Sequence, residues 1–184
     1  TGSVEVKKED VNKYISIGVS FLKKGELEEA VSNLTRAVNI DSLNAVAFFV
    51  RGSAYHRMDK LDNAISDYNK AIEINPNLAV AYQNRGSLYY HQGRYDDAMP
   101  DYNKAIEINP DLTASYIDRG NIYQHQGRLD DAISDYSKAL ELNPEDAVTY
   151  SYRGISYFSQ KKYSNALYDL NMAIDLDPGC VSAY

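Results

Sequence analysis

The sequence repeats with a period of 34 residues, and this period constrains the fold more than any other feature. Five glycines mark it: Gly18, Gly52, Gly86, Gly120 and Gly154. Four further series keep the same spacing, two of alanine that start at Ala30 and Ala37 and two of aromatic residues that start at Tyr14 and Phe21. So many positions in register predict stacked copies of one structural unit instead of a single irregular core.

Each copy contains two segments with helical periodicity, which a turn separates. In the third copy Tyr82, Gly86 and Tyr89 fall on one helical face, and a second apolar stripe starts at Tyr95. Gly93 stands between the two stripes, where glycine can end a helix in a left-handed conformation. Each copy is therefore predicted to be a helical hairpin. The hairpins must stack, because one hairpin cannot bury both of its stripes.

The turn and the end of each copy have their own signals. Asp59 and Lys161 replace the turn glycine in the second and fifth copies, so we expect these two turns to be less favourable. Proline closes the last four copies, because the residue before proline disfavours the helical region. Ser42 takes this place in the first copy.

These signals set the boundaries of the copies. With Val11 at the first position, the copies span residues 11–44, 45–78, 79–112, 113–146 and 147–180. Residues 181–184 begin a sixth copy, so we expect the chain to be a fragment of a longer protein. We interpret residues 1–10 as an N-terminal tail that derives in part from cloning.

The motifs resemble the tetratricopeptide repeat (TPR) family. The third copy, AVAYQNRGSLYYHQGRYDDAMPDYNKAIEINPDL, has an aromatic residue, Arg-Gly, Tyr, a turn Gly, Ala-Met, Asp-Tyr, Lys-Ala-Ile and a closing Pro. The resemblance covers about 170 residues. It implies an all-α fold, an α-solenoid of stacked antiparallel helical hairpins that forms a right-handed superhelix. It also implies a protein–protein interaction scaffold, because the family mostly binds peptides, helices or whole proteins in its concave groove.

The resemblance further implies which residues line this groove, since the first helix of each copy forms most of it. The apolar candidates are Ile15, Val19, Leu22, Val46, Phe49, Val50, Tyr90, Ile117, Tyr152, Ile155 and Phe158. The polar candidates are Asn84, Asp118, Asn121 and Gln124. Exposed apolar side chains with a few hydrogen-bonding groups are what a protein-binding site needs. The alternative is that several of them pack between neighbouring first helices.

A series of ion pairs is predicted from variation among the copies. Four copies carry an arginine before the repeat glycine and an aspartate sixteen residues later: Arg51 with Asp67, Arg85 with Asp101, Arg119 with Asp135, and Arg153 with Asp169. The first copy lacks both, with Ile17 and Asn33 in their places. We expect each arginine to bind an aspartate of its own or a neighbouring copy, because its planar fork can hold a carboxylate with two bonds. A structural role is favoured over a clamp for a charged ligand.

The residues present exclude one specialised binding function of the family. TPR proteins that bind chaperone C-termini hold the terminal carboxylate with five groups, and the best register here places Asn84 at the middle one. Phe49, Ser53, Ala114 and Asp118 occupy the other four positions, and Asp118 would repel a carboxylate. We therefore expect no binding of a chaperone C-terminal carboxylate.

Composition narrows the remaining functions. The net charge of −7 and a pI of about 4.9 oppose binding to nucleic acid or an anionic membrane. The single cysteine, Cys180, excludes an intrachain disulfide and a cysteine-based metal site, and its lack of a partner favours the cytoplasm. No phosphate loop, nucleophile elbow or zinc-protease motif is present, so we predict neither an enzyme nor a bound cofactor or metal.

Two alternatives to a binding scaffold stay open. The first is that the array is the regulatory or substrate-selecting arm of a larger enzyme, since the sixth copy is cut short. The second is that it is a self-associating assembly module, because an unfinished last hairpin exposes an apolar face.

Overall fold

The computed structural model describes the backbone of residues 2–179 and the side chains of residues 10–179. Within this range the chain forms ten α-helices and no β-strand. The helices are α1 Gly2–Lys24, α2 Leu27–Ile40, α3 Ala45–Arg57, α4 Leu61–Ile74, α5 Ala79–His91, α6 Tyr95–Ile108, α7 Thr113–His125, α8 Leu129–Leu142, α9 Ala147–Ser159 and α10 Tyr163–Leu176. Helix α1 starts at Gly2, within the segment interpreted as a tail. Cys180 and the start of a sixth copy, residues 181–184, lie outside the described range.

The helices alternate between two types, which we call A helices (α1, α3, α5, α7, α9) and B helices (α2, α4, α6, α8, α10). The chain divides into two compact units between Leu88 and Tyr89, within α5. In the first unit α1 packs on α2, α3 packs on α4, and α2 also packs on α3. In the second unit α7 packs on α8 and α9 on α10, while α6 packs on α7 and α8 on α9. The predicted all-α fold of repeated hairpins is confirmed.

Small residues allow the A and B helices of one hairpin to approach closely. Ala64, Ala98 and Ala132 are completely buried near the starts of their B helices. In four hairpins the repeat glycine of the A helix lies directly over a large side chain of the B helix, which is Leu34, Tyr68, Tyr136 or Leu170. A Cβ atom on Gly120 would lie 2.7 Å from Cε1 of the Tyr136 ring, a distance that real Cβ atoms do not tolerate. This contact requires glycine, because any side chain would push the two helices apart.

Each hairpin turns through a residue with positive φ. The angle is +82° at Gly25, +72° at Gly93 and +73° at Gly127. Asp59 and Lys161 take the same place with φ of 57° and 61°, although a side chain disfavours this region. The prediction of glycine-type turns with two less favourable copies matches these angles.

Two backbone hydrogen bonds explain why the angle is kept even without glycine. The N–H of Lys161 donates to the carbonyl of Phe158 at 2.8 Å, and the N–H of Lys162 donates to that of Tyr157 at 2.9 Å. This pair of bonds is the Schellman arrangement, which satisfies carbonyls at the end of a helix. The same two bonds occur at all five hairpin turns, so the turn keeps one backbone conformation with or without glycine.

The B helices end on an extended Asn or Asp residue. Proline follows this residue in the last four copies, as the sequence predicts. The first copy has no proline, yet Asp41 is extended with φ of −133° and ψ of 94°. Its Oδ1 atom accepts a hydrogen bond from the N–H of Leu43 at 3.0 Å. An Asx turn therefore ends this helix by offering the backbone another partner.

The turn geometry leads to a prediction for stability. We expect Lys161→Gly to raise the free energy of unfolding by about 0.5–1 kcal/mol, because glycine relieves a left-handed cost of about 1–2 kcal/mol but adds entropy to the unfolded chain. Asp59→Gly should gain less, since aspartate tolerates this region better.

The check is the urea midpoint of each variant, with Gly127→Ala as the control that should lose stability. A lower midpoint for Lys161→Gly would mean that the lysine side chain makes a stabilising contact that outweighs the strained angle.

Candidate functional site

In three of the predicted arginine–aspartate pairs both residues belong to the same unit, and each of these pairs forms two parallel hydrogen bonds. In the second unit Arg119 Nε donates to Asp135 Oδ2 at 2.8 Å, and its Nη2 donates to Oδ1 at 2.7 Å. The same two bonds, at 2.7–2.8 Å, form in the pairs Arg51–Asp67 and Arg153–Asp169. Each aspartate belongs to the arginine's own copy and comes from its B helix. The hydrogen bond to Asp135 raises the pKa of Arg119, whereas burial opposes this.

The third nitrogen of each arginine reaches the preceding B helix. Nη1 of Arg119 donates to Asn103 Oδ1 at 2.7 Å, and Nη1 of Arg85 donates to Asn69 Oδ1 at 2.6 Å. Equivalent bonds reach Thr35 from Arg51 at 3.3 Å and Ser137 from Arg153 at 3.0 Å. An arginine of this series therefore contacts two B helices from one A helix. Arg85 and Asp101, the remaining predicted pair, belong to different units, and Asp101 is buried in its own.

The surroundings of these arginines favour the structural role. The side chains of Arg51, Arg119 and Arg153 are only 15–18% exposed. Aromatic rings also cover them: the Arg119 guanidinium lies 5.7 Å from the Tyr116 ring centre and 5.8 Å from that of Tyr123. Arginines that are already bonded and covered in this way have little left to offer a ligand.

In the first unit the predicted groove residues divide between core and surface. Ile15 and Val50 pack against buried clusters, and Leu22 is itself buried, so it belongs to the core. Val46 is half exposed, and Val19 is partly buried. The Phe49 ring lies 5.9 Å from that of Tyr68, and the Tyr68 hydroxyl bonds to Asn84.

In the second unit the A helices α5, α7 and α9 form a pocket of about 450 Å³. Its lining is Tyr90, Asn121, Gln124, His125, Tyr152 and Ile155. All of these except His125 are predicted groove residues. The structure therefore brings five candidates from three successive copies to one concavity.

Aromatic contacts hold one side of this pocket, which we call the α5–α7–α9 pocket. The Tyr90 ring lies 5.5 Å from the Tyr95 ring and 6.5 Å from that of His125. The His125 ring stacks on Tyr95, with centres 5.5 Å apart and planes inclined by 18°. Tyr95 comes from the B helix α6, so it fixes two side chains that the A helices supply.

Two residues of the pocket lining contact a buried tyrosine that the sequence analysis did not predict. Tyr136 of α8 is completely buried, and its hydroxyl lies 2.8 Å from both Asn121 Oδ1 and Gln124 Oε1. Its ring lies 5.9 Å from that of Tyr152. Burial raises the pKa of Tyr136, so the hydroxyl stays protonated. The hydroxyl has a single proton, so it donates to one of the two amide oxygens at a time, and an amide held through its oxygen keeps its N–H groups for a ligand.

The buried B-helix tyrosines of the two preceding copies also contact a polar side chain of an A helix. Tyr68 bonds to Asn84 in the first unit, and the Tyr102 hydroxyl faces Asp118 in the second. These tyrosines occupy a B-helix position where the outer copies have Leu34 and Leu170. The change from leucine to tyrosine in the middle copies is the signal that could have revealed them, because leucine would fill the same core space without a hydroxyl.

Asp118 is the only acidic side chain among the predicted groove residues. It lies one helical turn before Asn121, so the two side chains share a face of α7. Burial raises the pKa of Asp118, and the Tyr102 hydroxyl and His91 lower it in part. Among the described residues, no lysine or arginine forms an ion pair with Asp118.

Two predicted residues lie elsewhere. Phe158 is 61% exposed and meets Tyr163 edge to face, with ring centres 5.6 Å apart. Ile117 is partly buried and does not line the pocket. Between residues 10 and 179 no group of three or more His, Cys, Asp or Glu side chains is arranged to hold a metal ion. None of the helices in that range is both long and apolar enough to cross a bilayer.

A fold of repeated A–B hairpins with a preformed pocket on its A helices defines a helical-repeat binding protein. The chain belongs to the tetratricopeptide repeat family. Models of this repeat match residues 14–42, 52–93, 79–112, 114–146 and 147–180. Proteins of this family generally mediate protein–protein interactions and are typically not enzymes.

Solved structures of TPR proteins share the fold. The chain is 25% identical to YrrB, described as a TPR protein with an unusual peptide-binding site, with a TM-score of 0.78 over 99% of this chain and 94% of that one. It is 20% identical to MamA of Desulfovibrio magneticus RS-1, with a TM-score of 0.81 over 92% and 96% of the two chains. It is 21% identical to PilF of Pseudomonas aeruginosa, with a TM-score of 0.84 over 92% and 77%. Comparison with curated protein sequences gives no match.

The ion pairs lead to a double-mutant prediction. Asp135→Leu should cost about 3 kcal/mol of unfolding free energy, because it leaves the guanidinium of Arg119 without its carboxylate in a mostly buried place. The double variant Arg119→Met, Asp135→Leu should lose less, since no charge is stranded. Urea denaturation of both variants and of Arg119→Met alone measures the difference. A single variant no less stable than the double one would contradict the pairing as a stabilising contact.

The raised pKa of Asp118 leads to a prediction about pH. Because the folded state resists ionisation of this carboxyl, its charge lowers stability at neutral pH, and this loss fades as pH falls toward the ordinary aspartate pKa of about 3.9. Asp118→Asn should therefore raise the urea midpoint at neutral pH and have little effect near pH 4. The exposed Asp111→Asn is the matched control. A lower midpoint for Asp118→Asn at neutral pH would show that the charge is stabilised.

Proposed function

We propose that the chain is a protein-interaction scaffold that binds a peptide segment of its partner on the face formed by its A helices. In the second unit the binding site is the α5–α7–α9 pocket. The observation that carries this proposal is the pair of amides in the pocket lining, Asn121 and Gln124, which both lie within hydrogen-bond distance of the buried hydroxyl of Tyr136.

The chemistry of the pocket suits a peptide. The N–H groups of Asn121 and Gln124 are donors for the backbone carbonyls of an extended segment, and those carbonyls are present whatever its sequence. The rings of Tyr90 and Tyr152 supply apolar surface for a side chain. Because Tyr95 and Tyr136 already fix these groups, a ligand loses less free energy in ordering them than it would on a flexible surface.

The first unit offers a related surface with different chemistry. Tyr68 there holds Asn84 from below, and Phe49 lies beside its ring. This surface therefore has one amide and an aromatic side chain, while the pocket in the second unit has two amides and a nearby carboxylate. The likeness to YrrB, described as having an unusual peptide-binding site, supports a peptide as the ligand class.

Neither alternative gains comparable support. Self-association has in its favour the exposed apolar side chains of Phe158, Tyr163, Leu167 and Tyr168 on α9 and α10, which are 58–63% exposed. Nothing in the described residues shows what covers them. The role of an enzyme's regulatory arm would use the same peptide site, so it concerns the protein around the chain and leaves the site unchanged.

A displayed random-peptide library tests the proposal. Peptides that the native chain selects should bind the double variant Asn121→Ala, Tyr152→Ala with at least about tenfold lower affinity. The reason is that truncation of a central contact costs about 1–2 kcal/mol or more. Fluorescence anisotropy of a labelled selected peptide measures the dissociation constant, and circular dichroism checks that the variant is folded.

Tyr168→Ala is the matched control, since it removes a tyrosine from the exposed side of α10. Affinity that depends on Tyr168 and not on Asn121 and Tyr152 would place the site on the outer surface and refute the proposal. A library that yields no binding peptide would refute it as well.

A further inference from the structure

The charge of the A-helix face in the second unit is one-sided. Asp118 lies on the face of α7 that also carries Asn121, and its charge acts on Tyr90, which lines the pocket. The pocket lining contains no lysine or arginine. The arginine next to Asp118 in sequence, Arg119, is bound to Asp135 on the other side of the helix. Burial thus disfavours the charge of Asp118, and His91 offsets this only in part.

The aromatic side chains around the pocket suit a cation more than any other charged group. Tyr90 and Tyr152 line it. The faces of such rings attract lysine, arginine and other cations through the ring quadrupole. A carboxylate or phosphate would be repelled both by these faces and by Asp118, and the protein's net charge of −7 adds to that repulsion.

We propose that the α5–α7–α9 pocket takes a basic side chain, an arginine or a lysine, from the bound peptide, with Asp118 as its counter-ion and the rings of Tyr90 and Tyr152 as its walls. This inference rests on the proposed peptide-binding function and specifies the residue that the peptide inserts. On binding, Asp118 forms an ion pair with this basic side chain, which no lysine or arginine in the described part of the free chain provides. The amides of Asn121 and Gln124 then bind the backbone next to the inserted residue.

Arginine is favoured over lysine by the shape of the site. A planar guanidinium can stack on a tyrosine ring and still direct two N–H groups to a carboxylate, whereas an ammonium group is a compact point charge. The chain already uses this combination internally, since Arg119 binds Asp135 and lies against Tyr116 and Tyr123. The pocket lining has the aromatic part of that arrangement, and Asp118, one helical turn before the lining residue Asn121, supplies the acidic part.

The test uses a small probe and its neutral isostere on the full chain. Nα-acetyl-arginine amide and Nα-acetyl-citrulline amide have nearly the same shape but differ in charge. Chemical-shift changes of the Tyr90, Asn121, Gln124 and Tyr152 signals are followed in an NMR titration at about pH 7.5, above the ordinary histidine pKa of about 6.5. The arginine compound should bind the pocket at least about tenfold more tightly than the citrulline compound, as expected for a charge-assisted contact with a cation–π component.

Asp118→Asn should reduce this preference to about twofold or less, because the neutral amide keeps the shape and removes the counter-ion. The exposed Asp111→Asn changes the net charge equally and should leave the preference intact. Equal binding of the two compounds, no shift at the pocket, or an unchanged preference in Asp118→Asn overturns the inference. If one of these results occurs while library peptides still depend on Asn121 and Tyr152, the peptide-binding proposal stands and only the basic side chain is refuted.

Discussion

The close contact between the A and B helices of a hairpin is the constraint on which the rest depends. Gly52 and Gly120 lie directly over the rings of Tyr68 and Tyr136, at distances that leave no room for a Cβ atom. Because the backbones come this near, a side chain that starts on a B helix can pass beneath the A helix and end on its far face. A wider spacing would keep the tyrosine hydroxyl inside the hairpin, where it would need a partner of its own.

This passage connects the core to the binding face. The ring of Tyr136 fills core space as a leucine would, while its hydroxyl holds two amides on the surface. The arginines work in the opposite direction, since they leave the A helix and bind two B helices. One set of polar contacts therefore fixes the register of the helices, and the other fixes side chains that are available to a ligand. Neither set occurs in every copy, since the first copy lacks the arginine and the aspartate, and the first and fifth have leucine in place of the tyrosine. Changes within single copies can therefore alter the binding face without altering the stacking.

Sequence reasoning reached the fold because a 34-residue period leaves few alternatives, and it reached the arginine–aspartate partners because the first copy loses both residues together. It located most of the pocket lining through the family's positions. It missed Tyr136, since periodicity assigns that position to the core and does not say where the end of a long side chain emerges. It also missed the Asx turn at Asp41 and the bonds from the arginines to the preceding B helix. Those depend on side-chain rotamers and on distances between copies, which a pattern of residue types does not contain.

The raised pKa of Asp118 distinguishes two interpretations of the pocket. A site that served only to close the gap between A helices would be more stable with asparagine there, as Asn84 shows one copy earlier in contact with its own tyrosine. The fold thus has a neutral solution for this position and uses it elsewhere. A carboxylate that burial disfavours is explained if a ligand returns the lost interaction, because a group can lower the stability of the free protein and still raise the affinity of the complex. The same reasoning accounts for the aromatic walls, because the faces of the rings attract a cation that has lost water on entering the pocket.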